Sequence, residues 1–322
     1  MSEEAKSMNC VFIVNPKAGE KDKAILMKRM ESAFRMGPHN FIKAVTEKKG
    51  DAQNFAREYA EKYGENCLII ACGGDGTVHE IVNGICGTAA KLLVLPLGTG
   101  NDFAKKLYGT KKPNSKMIMQ RFGLFDGKPC FEVDPIDVID VDGHKCVNVM
   151  SFGFDTKIET VGRKIAAKAP ILGANAYNVA VAACLFTSMK YRIHVDFDTI
   201  SEDGAYGKFV EDLDYTLMAV CNGSYYGGGF CPAPRSCLTD GILDVCYVEA
   251  VDVPKAIPII PLYSKGTADQ STYVHTLRVT GGSVSSVDGK ALNGNCDGEN
   301  FMDILVNFKV LPHALNLCVF KN

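Results

Sequence analysis

The sequence predicts an α/β protein with an N-terminal doubly wound parallel sheet and a second, mostly antiparallel β domain of sandwich type. Two observations carry this. Over roughly the first hundred residues, short apolar runs alternate with amphipathic helical segments, the β-α-β pattern of a parallel sheet. Beyond about Gly123 the rhythm changes to period-2, β-branched runs interrupted by one long helical stretch. The boundary falls there, giving domains 1–123 and 124–306.

Cys10 to Asn15 (C-V-F-I-V-N) reads as a buried strand entering a loop at Pro16 and Gly19. Lys21 to Met36 has helical spacing, and Phe41 to Val45 is a second strand. Asp51 to Tyr63 is amphipathic, with Asp51 as the expected N-cap. Cys67 to Cys72 (C-L-I-I-A-C) is apolar throughout, which predicts burial on both faces. Val78 to Ile85 is helical and Leu92 to Leu95 is a fourth strand. The β-type runs of the second domain are Phe131–Ile139, Lys145–Val149, Tyr191–Phe197, Tyr215–Cys221, Leu243–Val248, Leu277–Thr280, Phe301–Val306 and Leu315–Phe320. Thr156 to Thr187 is the long helical stretch, and Gly281 to Ser286 reads as a loop.

Composition excludes several classes. The 35 basic and 37 acidic residues give a net charge of -2, so no global field draws the chain to nucleic acid or anionic lipid. The 13 cysteines include no C-x-x-C, and none of the six histidines stands at zinc-finger spacing from a cysteine pair. Reduced, buried thiols are expected. Met1 to Asn9 is polar without an apolar core, and the longest apolar stretch, Val179 to Phe186, is short of a membrane span. A cytoplasmic protein is expected.

Two glycine loops carry the chemistry. Gly73-Gly74-Asp75-Gly76-Thr77 follows a buried strand and opens a helix, so backbone amides and the positive end of the helix dipole face one place. It is neither a G-x-x-x-x-G-K-[ST] loop nor a G-x-G-x-x-G fingerprint; it reads as an anion site or as a tight strand-to-helix turn. Leu97-Gly98-Thr99-Gly100-Asn101-Asp102-Phe103-Ala104 repeats the arrangement one strand later, with Asn101 or Asp102 as a helix cap in the plainer reading. In a doubly wound sheet both lie at the carboxyl ends of strands, where ligands bind.

With Asn15-Pro16-Lys17-Ala18-Gly19, these blocks stand in the order and spacing of the diacylglycerol-kinase catalytic-domain family, which the sequence resembles almost end to end. That family includes bacterial soluble lipid kinases and eukaryotic sphingosine and ceramide kinases. Asn222 to Val245 resembles its glycine-rich hairpin and D-G-x-x-D strand, and Asp297-Gly298-Glu299 matches its D-G-E. His79 stands where Asn is common and Lys105 where Arg is common.

The resemblance implies an ATP- and Mg²⁺-dependent kinase acting on the hydroxyl of diacylglycerol or a related lipid alcohol. It implies ATP contacts at Asn15, Pro16, Gly19, Thr46, Gly73 to Thr77, Glu80, Thr99 and Asn101. Asp297 falls where the family places its general base, with Glu299 beside it. Asp240, with the backbone near Cys237, falls where bacterial members hold a structural Mg²⁺. It also implies catalysis in a cleft between the domains and a last segment, 307–322, that joins the first domain, and makes a homodimer an expectation.

The residues support parts of this on their own. Phosphoryl transfer depends on positioning and charge neutralisation, and Mg²⁺ takes carboxylate and water ligands, so Asp75 and Asp102 are the candidate catalytic-metal ligands. A carboxylate can take the proton of an attacking alcohol. Read locally, however, Asp297-Gly298 is first a hairpin turn. Lys157, Arg163, Lys164 and Lys168, followed by an apolar stretch, are either a solvated helix end or a transient membrane contact. An NAD kinase shares the G-G-D-G-T loop but not the L-G-T-G-N-D-F-A block, and a silent nucleotide- or lipid-sensing module would have no need of Asp297 and Glu299. His144, His194, His275 and His313 form no constellation.

Overall fold

A computed structural model describes residues 7–19, 23–169, 172, 175–184, 187 and 189–321. The chain divides into two compact units, Met1–Ile136 with His313–Asn322, and Asp137–Pro312.

In the first unit, β1 (Asn9–Val14), β2 (Asn40–Val45), β3 (Cys67–Gly73) and β4 (Lys91–Pro96) form a parallel sheet in the order β2-β1-β3-β4. Val11 sits opposite Ile42 and Ile69, and Ile69 opposite Leu92. Asn316 and Leu317, from the last strand of the chain, pair in parallel with Lys91 and Leu92 on the outer side of β4. All seven residues of β3 are buried, as its unbroken hydrophobicity predicts. The helices are α1 (Lys23–Phe34), α2 (Asp51–Tyr63), α3 (Asp75–Ile85), α4 (Asp102–Leu107) and α5 (Ser115–Arg121). Helix α2 buries Ala52, Ala56 and Ala60, one helical turn apart. Its small face meets Gly84 of α3, where a Cβ would lie 2.6 Å from Gln53 O and 3.0 Å from Ala56 Cβ. One core cluster joins Phe12, Phe34, Ile70, Leu93 and Phe122, and Phe12 meets Phe34 edge-on at 5.4 Å.

The N-cap of α2 differs from expectation. Gly50, in the left-handed region, precedes the helix, and Asp51 Oδ2 accepts from the amides of Glu47 and Lys48 in the turn before it. Glu80 of α3 takes over the capping, accepting from Gly50 N (2.9 Å) and Ala52 N (3.1 Å).

The second unit is built from β5 (Glu132–Val141), β6 (His144–Cys146), β7 (Val149–Gly153), β8 (Tyr191–Ile200), β9 (Tyr206–Cys221), β10 (Leu243–Glu249), β11 (Val274–Ser286), β12 (Leu292–Cys296), β13 (Glu299–Asp303) and β14 (Leu305–Val319). The order is β13-β12-β7-β9-β10-β11-β14, with β8 paired to both β9 and β11. Strands β9 and β11 each pair with three others: β9 with β8 up to Tyr215, with β10 from there on and with β7 over Leu217–Cys221, and β11 with β10 up to Val279, with β8 beyond it and with β14 over Gly281–Ser285. The core between them is Phe152, Ile193, Val195, Phe197, Val220, Val245, Val279, Val284 and Phe308. A second cluster gathers α6 (Phe154–Lys168), α7 (Asn175–Cys184) and α8 (Val253–Lys265) over β10.

Three expectations change. Gly281 to Ser286 is strand, paired with β14 and β8. Thr156 to Thr187 is divided into α6 and α7; Arg163 lies in α6, its side chain outside the described residues. Helix α8 stands where no element was predicted, because Pro254, Pro258 and Pro261 hide it. No helix among the described residues is long and apolar enough to cross a membrane.

Candidate functional site

In the first unit, the loops after β1, β3 and β4 are tied into one constellation. Asn15, at the end of β1, turns its own loop by accepting from Lys17 N (2.9 Å) and donates from Nδ2 to Thr77 Oγ1 (3.3 Å). Gly19 lies against Thr99, whose Oγ1 would be 3.2 Å from a Cβ there. Thr46, buried after β2, bonds to Val14 O through its amide (3.0 Å). The two glycine loops touch backbone to backbone: a Cβ on Gly98 would come within 2.3 Å of Gly74 Cα. Gly73 is equally constrained, since a Cβ would strike Thr77 Oγ1 at 2.2 Å.

Asn101 takes the left-handed conformation (φ 53°) and closes its loop by a reciprocal pair, accepting from Gly98 N (2.9 Å) and donating to Gly98 O (2.8 Å). It therefore does not cap α4 with its side chain. Asp75 does so from the other loop, Oδ1 accepting from Phe103 N at 3.2 Å. Burial and then the neighbouring Asp102 charge raise the Asp75 carboxyl from 3.8 to about 6, although the amides of Phe103 and Asp102 oppose them. Asp102 is buried and ion-paired with Lys105 at 2.6 Å. The second oxygens of both carboxylates flank Gly100: a Cβ there would lie 3.0 Å from Asp75 Oδ2 and 3.7 Å from Asp102 Oδ2. Two converging carboxylate oxygens suit a small divalent cation held directly or through water.

Gly76 differs from its neighbours. It is exposed in the first turn of α3, has no positive φ, and a Cβ built on it meets nothing within 4 Å. No contact among the described residues requires glycine there. A missing side chain at a helix N-terminus leaves room for an anion to approach the backbone. Pro16 is exposed in the loop after β1, and Glu80 is occupied as the cap of α2.

In the second unit, Asp297 and Gly298 form the β12–β13 turn with φ of 50° and 93°. The Asp297 carboxylate is held by the segment between β6 and β7. Oδ2 accepts from Val147 N (2.8 Å), and Oδ1 from Asn148 N (2.9 Å), Val149 N (3.2 Å) and Cys146 Sγ (3.2 Å). Burial, Cys296 and the Asp297 charge push the Cys146 thiol well above its ordinary value, so it remains a donor. Asn222, fully buried, fixes this segment from behind through Nδ2 bonds of 2.8 Å to Val147 O and to Asp137 O. Glu299 begins β13 opposite Cys296. The sequence reading missed Cys146, Asn148 and Asn222; the polar residues that break the apolar runs V-N-V-M and A-V-C-N were the available signal.

Asp240 and Cys237 stand in the loop before β10. Asp240 Oδ2 lies 3.5 Å from the Arg278 guanidinium and Oδ1 accepts from Ile242 N, while Cys237 is an exposed thiol beside Thr239. A separate apolar pocket lies over β9 and β10, lined by Phe154, Ile158, Leu217, Phe230, Ile259 and Tyr263. Asp155, buried and accepting from Thr156 N, is the one charged residue among those lining it.

Comparison with known proteins matches two family models in succession along the chain. Residues 9–122 match the diacylglycerol kinase catalytic domain, and residues 148–319 match the YegS C-terminal NAD kinase beta sandwich-like domain. The probable lipid kinase YegS-like protein of Xanthomonas campestris is 30% identical over 232 residues, 69% of this chain and 68% of that one. The diacylglycerol kinase of Bacillus subtilis is 27% identical over 258 residues, 79% of this chain and 78% of its own. A solved structure of a diacylglycerol kinase from Bacillus anthracis shares the fold with a TM-score of 0.67 at 20% identity, covering 99% of this chain and 98% of that one. With one motif set in each unit and both matched along their length, the chain belongs to the YegS-like lipid kinase family, related to the diacylglycerol kinases.

Proposed function

We propose that the protein uses ATP and Mg²⁺ to phosphorylate the hydroxyl of diacylglycerol or a related lipid alcohol. The observation that carries this is Gly76: a glycine with open space above it, at the N-terminus of α3, framed by two loops packed backbone to backbone. The apolar pocket of the second unit supports a lipid rather than a dinucleotide acceptor.

Magnesium, when bound, neutralises phosphate charge. The first-turn amides of α3 receive phosphate oxygens, and Asn15, Pro16, Gly19, Thr46, Thr99 and Asn101 shape the loops around the nucleotide. Asp75 and Asp102 hold the cation from beside Gly100, and Lys105 orients Asp102. Asp297 accepts the proton of the lipid hydroxyl. Glu299 orients that hydroxyl. The pocket walled by Phe154, Leu217 and Ile259 takes the end of an acyl chain.

The test is Mg²⁺-dependent ADP release from ATP with a panel of lipid alcohols in mixed micelles, wild type beside Asp297→Asn. Release stimulated by diacylglycerol and lost in the variant is the expected result. Release stimulated by NAD⁺ and by no lipid would overturn the substrate class, and an undiminished variant would overturn the base.

A further inference from the structure

Helix α8 is apolar on both faces. Ala256, Ile259 and Tyr263 point inward and are buried, and with Ile260 they line the apolar pocket. Pro254, Ile257, Pro258, Pro261 and Lys265 recur three or four residues apart and form one exposed stripe; Ile257 is 54% exposed. A helix hydrophobic all round is ordinarily buried, so the outer stripe calls for a covering partner.

We infer that the outer face of α8 is the surface by which the protein docks on an anionic lipid membrane. This rests on the lipid-kinase reading only for the purpose of docking. Three features favour a membrane over a second copy of the chain. First, the opposite side of the same helix walls the lipid pocket, so the face that meets the bilayer adjoins the place an extracted chain would enter. Second, the helix has no acidic residue between Val253 and Lys265, while exposed Lys255 and Lys265 flank the apolar stripe. Asp252, at its N-cap, is ion-paired with Lys190 at 2.8 Å, and Asp269 is the next acid beyond the helix. Apolar residues with flanking lysines suit the interfacial region of an anionic bilayer. Third, Pro258 and Pro261 have no N–H, so the carbonyls of Pro254 and Ile257 lose their usual donor four residues on. Both belong to the exposed stripe. Water and headgroups can satisfy them at a membrane interface, whereas a dry protein interface cannot.

The test is sedimentation of the full-length protein with phosphatidylcholine vesicles with and without phosphatidylglycerol, for wild type, Ile257→Asp and Lys255→Glu/Lys265→Glu. We expect binding that needs the anionic lipid, at least a tenfold loss in Ile257→Asp, and loss of the phosphatidylglycerol dependence in the lysine pair. Unchanged melting temperatures would show that the exposed substitutions leave the fold intact. Absence of wild-type binding, or equal binding by Ile257→Asp, overturns the inference. So does a wild-type dimer that Ile257→Asp converts to monomer, which would assign the face to a second copy. Turnover of a short-chain diacylglycerol below its micellar threshold separates the two readings. Retained turnover with Ile257-indifferent vesicle binding refutes docking alone. Vesicle binding through Ile257 without turnover of any lipid alcohol refutes the catalytic reading alone.

Discussion

The Cys146 thiol donates to Asp297 Oδ1 at 3.2 Å, across 151 positions of chain. With the amides of Val147, Asn148 and Val149, it makes Asp297 a fastener for the β6–β7 segment as well as the assigned base. Replacing Asp297 by Asn therefore has two separable effects. An amide NH₂ turned toward those backbone donors removes charge-assisted bonds worth roughly 1.5–3 kcal/mol, visible as a lower urea midpoint. Loss of the base lowers turnover by roughly 10²- to 10⁴-fold under conditions where the variant is fully folded. A variant that kept wild-type stability would contradict the fastening role.

Gly98→Ala and Gly76→Ala are expected to part company. The first forces a Cβ to 2.3 Å from Gly74 Cα and separates the two glycine loops, costing about 1–3 kcal/mol of stability. The second meets nothing and adds a methyl to a helical turn, so stability stays within about 0.5 kcal/mol. Its ATP affinity, measured by calorimetry, falls on the order of tenfold if the phosphates occupy that space.

Asp75 makes stability depend on pH. Its carboxyl titrates near 3.8 unfolded and about 6 in the fold, so the folded chain binds more protons between those values. Its stabilising contribution is complete at low pH and lost as pH rises through the window, about 3 kcal/mol in all without added divalent cation. Asp75→Asn retains a carbonyl oxygen to cap α4 and removes the charge. Denaturation at pH 8 is expected to show a more stable variant, and the slope between pH 4 and 7 to flatten. A less stable variant at pH 8 would show that the charge is compensated.

Lys105 and Asp102 have side chains only 9% exposed, so removing one leaves the other buried without its partner. Lys105→Met is expected to cost roughly 3–5 kcal/mol. The double variant with Asp102→Asn should recover part of the loss, with a coupling of about 1–3 kcal/mol in a double-mutant cycle. Additivity of the two single effects would rule out the pairing.

The parallel sheet was legible because its strands and helices repeat at 2.0 and 3.6 residues with little interference, and the ranges of α2 and β3 follow the pattern almost residue for residue. Two failures share a cause, residues chosen for contacts far away in the chain. Gly281 and Gly282 look like loop, but a Cβ on either would strike Phe308 O at 2.8 Å or Asp196 O at 2.3 Å; they let β14 and β8 close on β11. The prolines of α8 contradict helix locally while tertiary packing imposes it. The bonds from Glu80 to the amides of Gly50 and Ala52 are likewise long-range and have no local signature. At the site, the glycine loops could be read from type and spacing. The Asp297 cradle could not, since its donors are main-chain groups that any residue supplies.

The last strand bears on how the molecule is made. Leu317 pairs with Leu92, although the whole of the second unit is encoded between them. During synthesis the four N-terminal strands emerge early, yet the outer side of β4 waits for more than two hundred further residues before its neighbour leaves the ribosome. Until then an apolar parallel strand presents an open row of amides and carbonyls, the kind of edge that recruits other chains. Nascent chains stalled before residue 310 should therefore be the most chaperone-dependent and the most prone to co-aggregate, and release of the last dozen residues should end that dependence.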